Sequence, residues 1–276
     1  MGKCDLCGQS AGLLRGRHKE CQAKHDAGLR DLREVASQRI ASGDRLESLP
    51  DDLEKIARPA FITDTQIRNA VVAVWEQALD GFLDDDVLSE EEEGRLTAFA
   101  KAAGLEQEAL NGSGAFDRMV KAALLRELSR GKLPQPQHIV GYVPFNFMKS
   151  EQLVWLFQDV KYYEERTRRE FRGGHQGVSI RVTKGVYYRT GSFRGHPVET
   201  TRMEHLDTGL LGVTTKHLYF SGSRKKFRVK FDKIVEFDPY DDGIGIQRDA
   251  ASARPQVFVT GDGWFTMNLV QIVSRA

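Results

Sequence analysis

Four residues near the N-terminus have the types and the spacing to hold a metal ion. Cys4 and Cys7 stand in a Cys-x2-Cys pair, and His18 and Cys21 repeat that interval further along. A Cys-x2-Cys pair bends the backbone so that two thiolates meet one ion, and Gly8 suits the tight turn that follows the second cysteine. Residues 21–40 are mostly helix formers, so the second pair falls where a helix begins. A knuckle and the first turn of a helix would together bring four ligands to one tetrahedral centre. Four side chains leave no coordination position for a reactive water, so the expected site is structural and its expected ion is Zn2+. His25, one helical turn after Cys21, is an alternative fourth ligand. His18 is preferred because its spacing to Cys21 mirrors the first pair. The competing reading is three free thiols.

The helix beginning at Cys21 contains Gly28, a weak point worth about 1 kcal/mol relative to Ala. Residues 42–50 (SGDRLESLP) end this helix and read as a linker. Residues 51–132 then read as helical with short breaks. Thr63 or Asp64 caps a helix with Ile67, Val71, Val74, Trp75 and Ala78 on one face. Ser89 and Glu92 are placed for a capping box, and Gly104 ends that helix. A further helix carries Phe116, Met119, Val120, Ala123, Leu124 and Leu128 as its expected buried stripe. The acidic run Asp84–Glu93 fails the calcium-loop pattern, with no Gly at the sixth position, and reads as negative charge at a helix N-terminus. The phrase DGFLDDDVLSEEE between two helices resembles the helix junctions of tellurite-resistance-type (TerB-like) domains. That resemblance implies a small helical interaction or metal-response domain.

Residues 133–153 are rich in proline and aromatics and read as extended chain, with Val143, Phe145 and Phe147 alternating. SEQLVWLFQDVKYYEERTRREF is expected to form a connecting helix capped by Ser150, with Leu153, Leu156, Phe157, Val160 and Tyr162 or Tyr163 on its apolar stripe. RGGHQG (172–177) marks the expected boundary into strands. Beyond it, Phe227, Val229 and Phe231 alternate with Arg228 and Lys230, the period of two that a half-buried strand needs. Short alternating segments with Gly, Asp and Pro turns predict a closed or nearly closed antiparallel sheet covered by one terminal amphipathic helix. The run GLLGVTTKHLYFSG, then KKFRVKFDKIVEFDPYDDGIGIQR, then PQVFVTGDGWFTMNLVQIV resembles, in element order, a bacterial pleckstrin-homology-like domain of the GRAM kind. That resemblance implies a bent sheet of about seven strands, opened by a hairpin over 177–191 and plugged by a helix bearing Trp264, Leu269 and Ile272. It also implies binding of lipid, peptide or protein rather than catalysis.

The expected architecture is multi-domain α+β. A zinc module and its helix span 1–49, a helical bundle 50–133, a linker and connecting helix 134–176, and a pleckstrin-homology-like barrel capped by one helix 177–276. Net charge is only +1, so any attraction to nucleic acid or membrane must come from local patches. The strongest patch is Lys216–Lys233, with seven Lys or Arg and one Asp. Its candidate ligand-binding residues are Lys216, Arg224, Lys225, Lys226, Arg228 and Lys230. They could meet an anionic membrane surface, or be the solvated face of a strand. No apolar run approaches the roughly 20 residues that span a bilayer, and the N-terminus lacks the apolar core of a secretory signal. An odd cysteine count points to a reducing cytoplasm.

Phosphate-loop, nucleophile-elbow and metalloprotease motifs are absent. A metal-dependent hydrolase built on His175, His196 and His205 with Glu199 and Asp207 is a minor alternative. A nucleic-acid-binding regulator is another, through Arg15, Arg17, Lys19, Lys24, Arg30 and Arg33 around the zinc module. Interleaved Glu20, Asp26, Asp31 and Glu34 argue instead for a solvated helix. The sequence thus reads as a cytoplasmic, non-enzymatic adaptor whose partner is a protein.

Overall fold

The computed structural model describes residues 2–12, 16–84, 87–133, 144–183 and 186–275, with the side chains of 168–200 outside the description. The chain forms two compact units, Met1–Lys132 and Leu133–Ala276. No helix among the described residues is long and apolar enough to cross a membrane.

The first unit opens with a small antiparallel pair, β1 (Gly2–Lys3) and β2 (Ser10–Gly12). Helix α1 (Lys19–Ser42) follows, ended by Gly43 at φ 73°. It buries Leu32, Ala36 and Ile40, one residue per turn, so the helix that begins at the cysteine pair is also a wall of the helical core. Around it lie α2 (Leu49–Ala57), α3 (Asp64–Phe82), α4 (Glu90–Ala102), the short α5 (Gln107–Leu110) and α6 (Ala115–Ser129). Both expected starts are capping boxes: Thr63 with Gln66 opens α3, and Ser89 with Glu92 opens α4. Trp75 is fully buried, and its indole N–H donates to the Leu96 carbonyl at 3.0 Å.

Helix α6 is turned relative to its predicted stripe. The buried residues are Ala115, Met119, Ala122, Leu125 and Leu128, while Phe116 and Ala123 are only partly covered. The cause is Arg126, whose side chain is 8% exposed and reaches Glu93 at 2.6 Å and the Leu88 carbonyl at 3.0 Å. Drawing that cation inward brings the neighbouring positions with it. The acidic run therefore serves ion pairs as well as the α4 dipole, since Glu90 also pairs with Arg130 and Lys132.

The second unit is a curled, seven-stranded antiparallel half-barrel with one helix. Its strands are β3 (Leu153–Thr183), β4 (Val186–Thr214), β5 (His217–Gly222), β6 (Lys226–Lys230), β7 (Ile234–Tyr240), β8 (Gly243–Arg248) and β9 (Gln256–Val259). Their spatial order is β6-β5-β4-β3-β9-β8-β7, so the first strand lies beside the last. Helix α7 (Gly263–Arg275) packs on β7 and β8 and buries Phe265, Leu269 and Val270. Trp264, expected in the plug, is 45% exposed instead. Phe265 takes its place, with its ring 4.9 Å from Trp155 and 5.8 Å from Phe157.

The predicted connecting helix is a strand. Residues 153–171 belong to β3, and the pairing continues through 172–177, where a boundary was expected. The misreading has a physical origin. Register shifts between Leu153 and Trp155 and between Phe157 and Val160 interrupt the alternation, and Asp159 sits at φ 54°. The buried positions Val154, Phe157 and Val160 consequently fall three residues apart and imitate a helical stripe. The sequence signal that favours a strand is composition: Val154, Trp155, Phe157, Val160, Tyr162 and Tyr163 are β-branched or aromatic. Thr183↔Val186 closes the expected hairpin as the tip of this longer one. Val143 lies outside the described residues. Phe145 and Phe147 pack on Tyr219, at 5.6 and 5.2 Å.

Candidate metal centre

Cys4, Cys7, His18 and Cys21 converge, with one potential ligand atom from each lying within 4.8 Å of the others. This cluster could hold a metal ion. The knuckle follows from the backbone: Cys4 N–H donates to Gln9 O at 2.7 Å and Gly8 N–H to Cys4 O at 2.9 Å. Gly8 sits at φ 73°, a left-handed conformation that side chains rarely adopt. His18 is the N-cap residue of α1, in extended conformation, so Cys21 is presented from the first turn of the helix.

The histidine is oriented for ligation. Its Nδ1 lies 3.3 Å from Cys7 Sγ and 3.6 Å from Cys21 Sγ. Its Nε2 lies 3.0 Å from the Ser10 carbonyl oxygen. A carbonyl only accepts, so Nε2 carries the proton and the Nδ1 lone pair faces the sulfurs, the usual outer contact of a metal-binding imidazole. His25 stands apart. It is buried against Gln66, with its Nε2 3.2 Å from the amide nitrogen. Of the two histidines left open by spacing, His18 joins the cluster.

The thiols do not titrate alike. Hydrogen bonding from the Cys7 backbone, partly offset by desolvation, brings the Cys4 thiol down to about 6. Desolvation and the neighbouring Cys7 sulfur push Cys21 up to about 11. Three sulfurs and one imidazole this close could hold a cation, and that donor set is consistent with zinc.

The six basic candidates do not form one knot. Arg224 and Lys225 occupy the β5–β6 turn, while Lys226, Arg228 and Lys230 line the outer face of β6. Lys216 lies in the β4–β5 turn, at the far end beside Lys230. A five-residue strand of roughly 3.3 Å per residue separates the two ends. Several of these cations already have partners: Lys230 pairs with Asp232, and Lys216 donates to Ser150 Oγ at 2.9 Å.

Asp207, grouped with the histidines by sequence, belongs to the basic turn. Its carboxylate accepts from the backbone N–H of Arg224 at 2.6 Å, Lys225 at 2.7 Å and Thr208 at 2.9 Å, and from Ser223 Oγ at 3.1 Å. Burial opposes ionisation, yet these donors hold the carboxyl down at about 2. His205 instead contacts Thr208 Oγ1 at 3.1 Å and the Tyr163 ring. The side chains of His175, His196 and Glu199 lie outside the described residues. Of that grouping only His205 and Asp207 are described, and the two side chains face different partners.

A second polar node lies at Glu151, which no sequence pattern marks. Glu151, whose side chain is fully buried, accepts from Thr214 Oγ1 at 2.7 Å, from the Met148 N–H at 2.7 Å and from Tyr219 Oη, and lies 2.9 Å from His217 Nδ1. Burial raises its pKa, but the donors outweigh it and bring the carboxyl down to about 2. It ties residues 144–152 to the outer face of β5. Its side-chain partners stand more than sixty residues away, so no local motif announces it.

No family model matches the chain, and no curated protein or solved structure matches it either.

Proposed function

We propose that this chain is an intracellular, non-enzymatic adaptor, in which a zinc ion closes the Cys4–Cys7–His18–Cys21 site and the C-terminal sheet binds a protein partner. The zinc is structural: it fastens the β1–β2 knuckle to the first turn of α1, whose later turns are part of the helical core. The observation that carries the reading of the second unit is its strand order. A four-strand meander (β3 to β6) and a three-strand meander (β7 to β9), joined where the first strand pairs with the last, with one closing helix on the sheet, support a pleckstrin-homology-like domain.

A protein partner is favoured over an anionic headgroup by Asp207. The backbone N–H groups of Arg224 and Lys225, which a phosphate entering the turn would use, already serve a carboxylate of the chain itself. The exposed side chains on β6 remain for rim contacts, which set specificity and on-rate more than affinity. The test uses the full chain and a variant in which Arg224, Lys225 and Lys226 are all changed to Glu. Affinity capture should recover one protein that the variant loses, and vesicles containing phosphatidylserine should not bring wild type to the top of a flotation gradient. Flotation of wild type, abolished in the variant, would replace the protein reading with a lipid one.

A further inference from the structure

The inner face of the curled seven-stranded sheet carries a polar group of side chains that neither the metal centre nor the basic face uses. Register places Glu164 of β3, Gln256 of β9 and Ile246 of β8 in one row. That row shares its face with the buried residues Tyr162, Phe258 and Ile244. Two residues further along β3 and β8, on the same inward face, stand Arg166 and Arg248. One side of the site is an aromatic wall, because the Tyr162 ring meets Phe220, Phe227 and Phe258 within 5.3 Å. The other side is polar. Tyr162 Oη donates to Glu164 Oε2 at 2.8 Å and accepts from the Gln256 amide nitrogen at 2.5 Å.

Buried polar atoms in folded proteins are nearly always paired. Here Arg166 Nε, Arg248 Nε and Gln256 Oε1 are all buried and have no hydrogen-bond partner among the described residues. Gln256 is only 3% exposed, so its amide cannot turn to bulk water. Among the described residues, charge is unbalanced on the same face. Glu164 is matched by Arg254 at 3.8 Å and Glu204 by Arg202 at 3.3 Å. Arg166 and Arg248 have no carboxylate in ion-pair reach among the described residues. Two N–H donors on cations and one acceptor on an amide therefore lie in neighbouring rows on one face of the sheet. A water molecule can meet each atom singly but brings no negative charge.

We propose that this interior end of the sheet binds a small oxyanion carrying a hydrogen-bond donor of its own, of the hydroxycarboxylate class. The oxyanion lies against Arg166 and Arg248, and the hydroxyl donates to Gln256 Oε1. Charge-assisted bonds to guanidinium supply the attraction, and the buried acceptor supplies discrimination, since a ligand without a donor leaves it unmet.

The probe is glycolate, compared with acetate at matched ionic strength, on the 15N-labelled full chain. The readout is the arginine Nε–H and glutamine side-chain resonances. Glycolate should shift the signals of Arg166, Arg248 and Gln256 saturably, and acetate should bind about tenfold more weakly. Arg248→Gln should weaken glycolate binding about tenfold as one charge-assisted bond is lost, and Gln256→Leu should erase the preference for glycolate over acetate. Because the shifts are read on the wild-type chain, a variant that fails to fold leaves the test intact. Absence of saturation by glycolate, leaving ordered water only, would overturn the proposal. So would equal affinity for acetate, or shifts confined to surface arginines such as Arg224.

Discussion

A Cβ built on Gly28 would stand 2.3 Å from the Ala60 Cβ, closer than two carbon atoms approach without displacement. Gly28 lies inside α1, and Ala60 lies in the turn between α2 and α3. As a helix residue the glycine is unfavourable by about 1 kcal/mol relative to Ala. Sequence reading therefore makes it a weak point, whereas the packing makes it a requirement. Ala60 has no flexible end to swing aside, so the backbone itself would have to move. Gly28→Ala should lower thermal stability, with overpacking of about 1–3 kcal/mol exceeding the gain in propensity. Equal or higher melting temperature in the variant would show that the turn yields freely.

Zinc content separates the two histidines. The purified protein should carry about one zinc per chain, as a closed four-ligand site does. Cys4→Ser and His18→Ala should lose it, while His25→Ala should keep it, since His25 faces Gln66 and not the sulfurs. Elemental analysis after gel filtration decides this, and chelation should lower helical content if the ion secures the start of α1. Retention in His18→Ala would mean a different ligand set.

What could be read from the sequence follows the range of the forces involved. The cysteine pairs, the Thr63 and Ser89 caps and the alternation around Phe227 and Val229 are local patterns, and each lies where its spacing placed it. Helix α6 was found but turned, because Arg126 answers to Glu93, thirty-three residues away. Strand β3 was missed because its bulges reset the period. Glu151, Asp207 and the interior polar row owe their existence to strand register, which no window of sequence reports.

Acid should unfold the second unit through two carboxylates. Glu151 and Asp207 each have folded values of about 2, below ordinary values of about 4.3 and 3.9. A depressed folded value means stabilisation that is complete above the unfolded value and lost as pH falls through the folded one. Melting temperature should thus be level from neutral pH to about 5 and fall between roughly 4 and 2. Glu151→Gln should cost about 3–5 kcal/mol at pH 7, as removal of one side of a buried charged network does, and should flatten the acid slope. A melting temperature that falls as steeply in Glu151→Gln as in wild type would assign the acid sensitivity to other groups.

The two aromatics that open α7 should behave in opposite ways. Trp264 is 45% exposed, while Phe265 is fully buried with its ring against Trp155 and Phe157. Asp262 fixes this phase of the helix, because its carboxylate accepts from the Phe265 N–H at 3.0 Å and so sets which side chain turns inward. Phe265→Ala should cost about 3–5 kcal/mol by leaving a ring-sized cavity between helix and sheet. Trp264→Ala should change stability by no more than about 0.5 kcal/mol, as exposed positions usually do. Denaturant unfolding of both variants, each with an unchanged slope, measures the difference. If Trp264→Ala were the more damaging, the helix would be rotated by one residue and the plug would be the tryptophan that the sequence favoured.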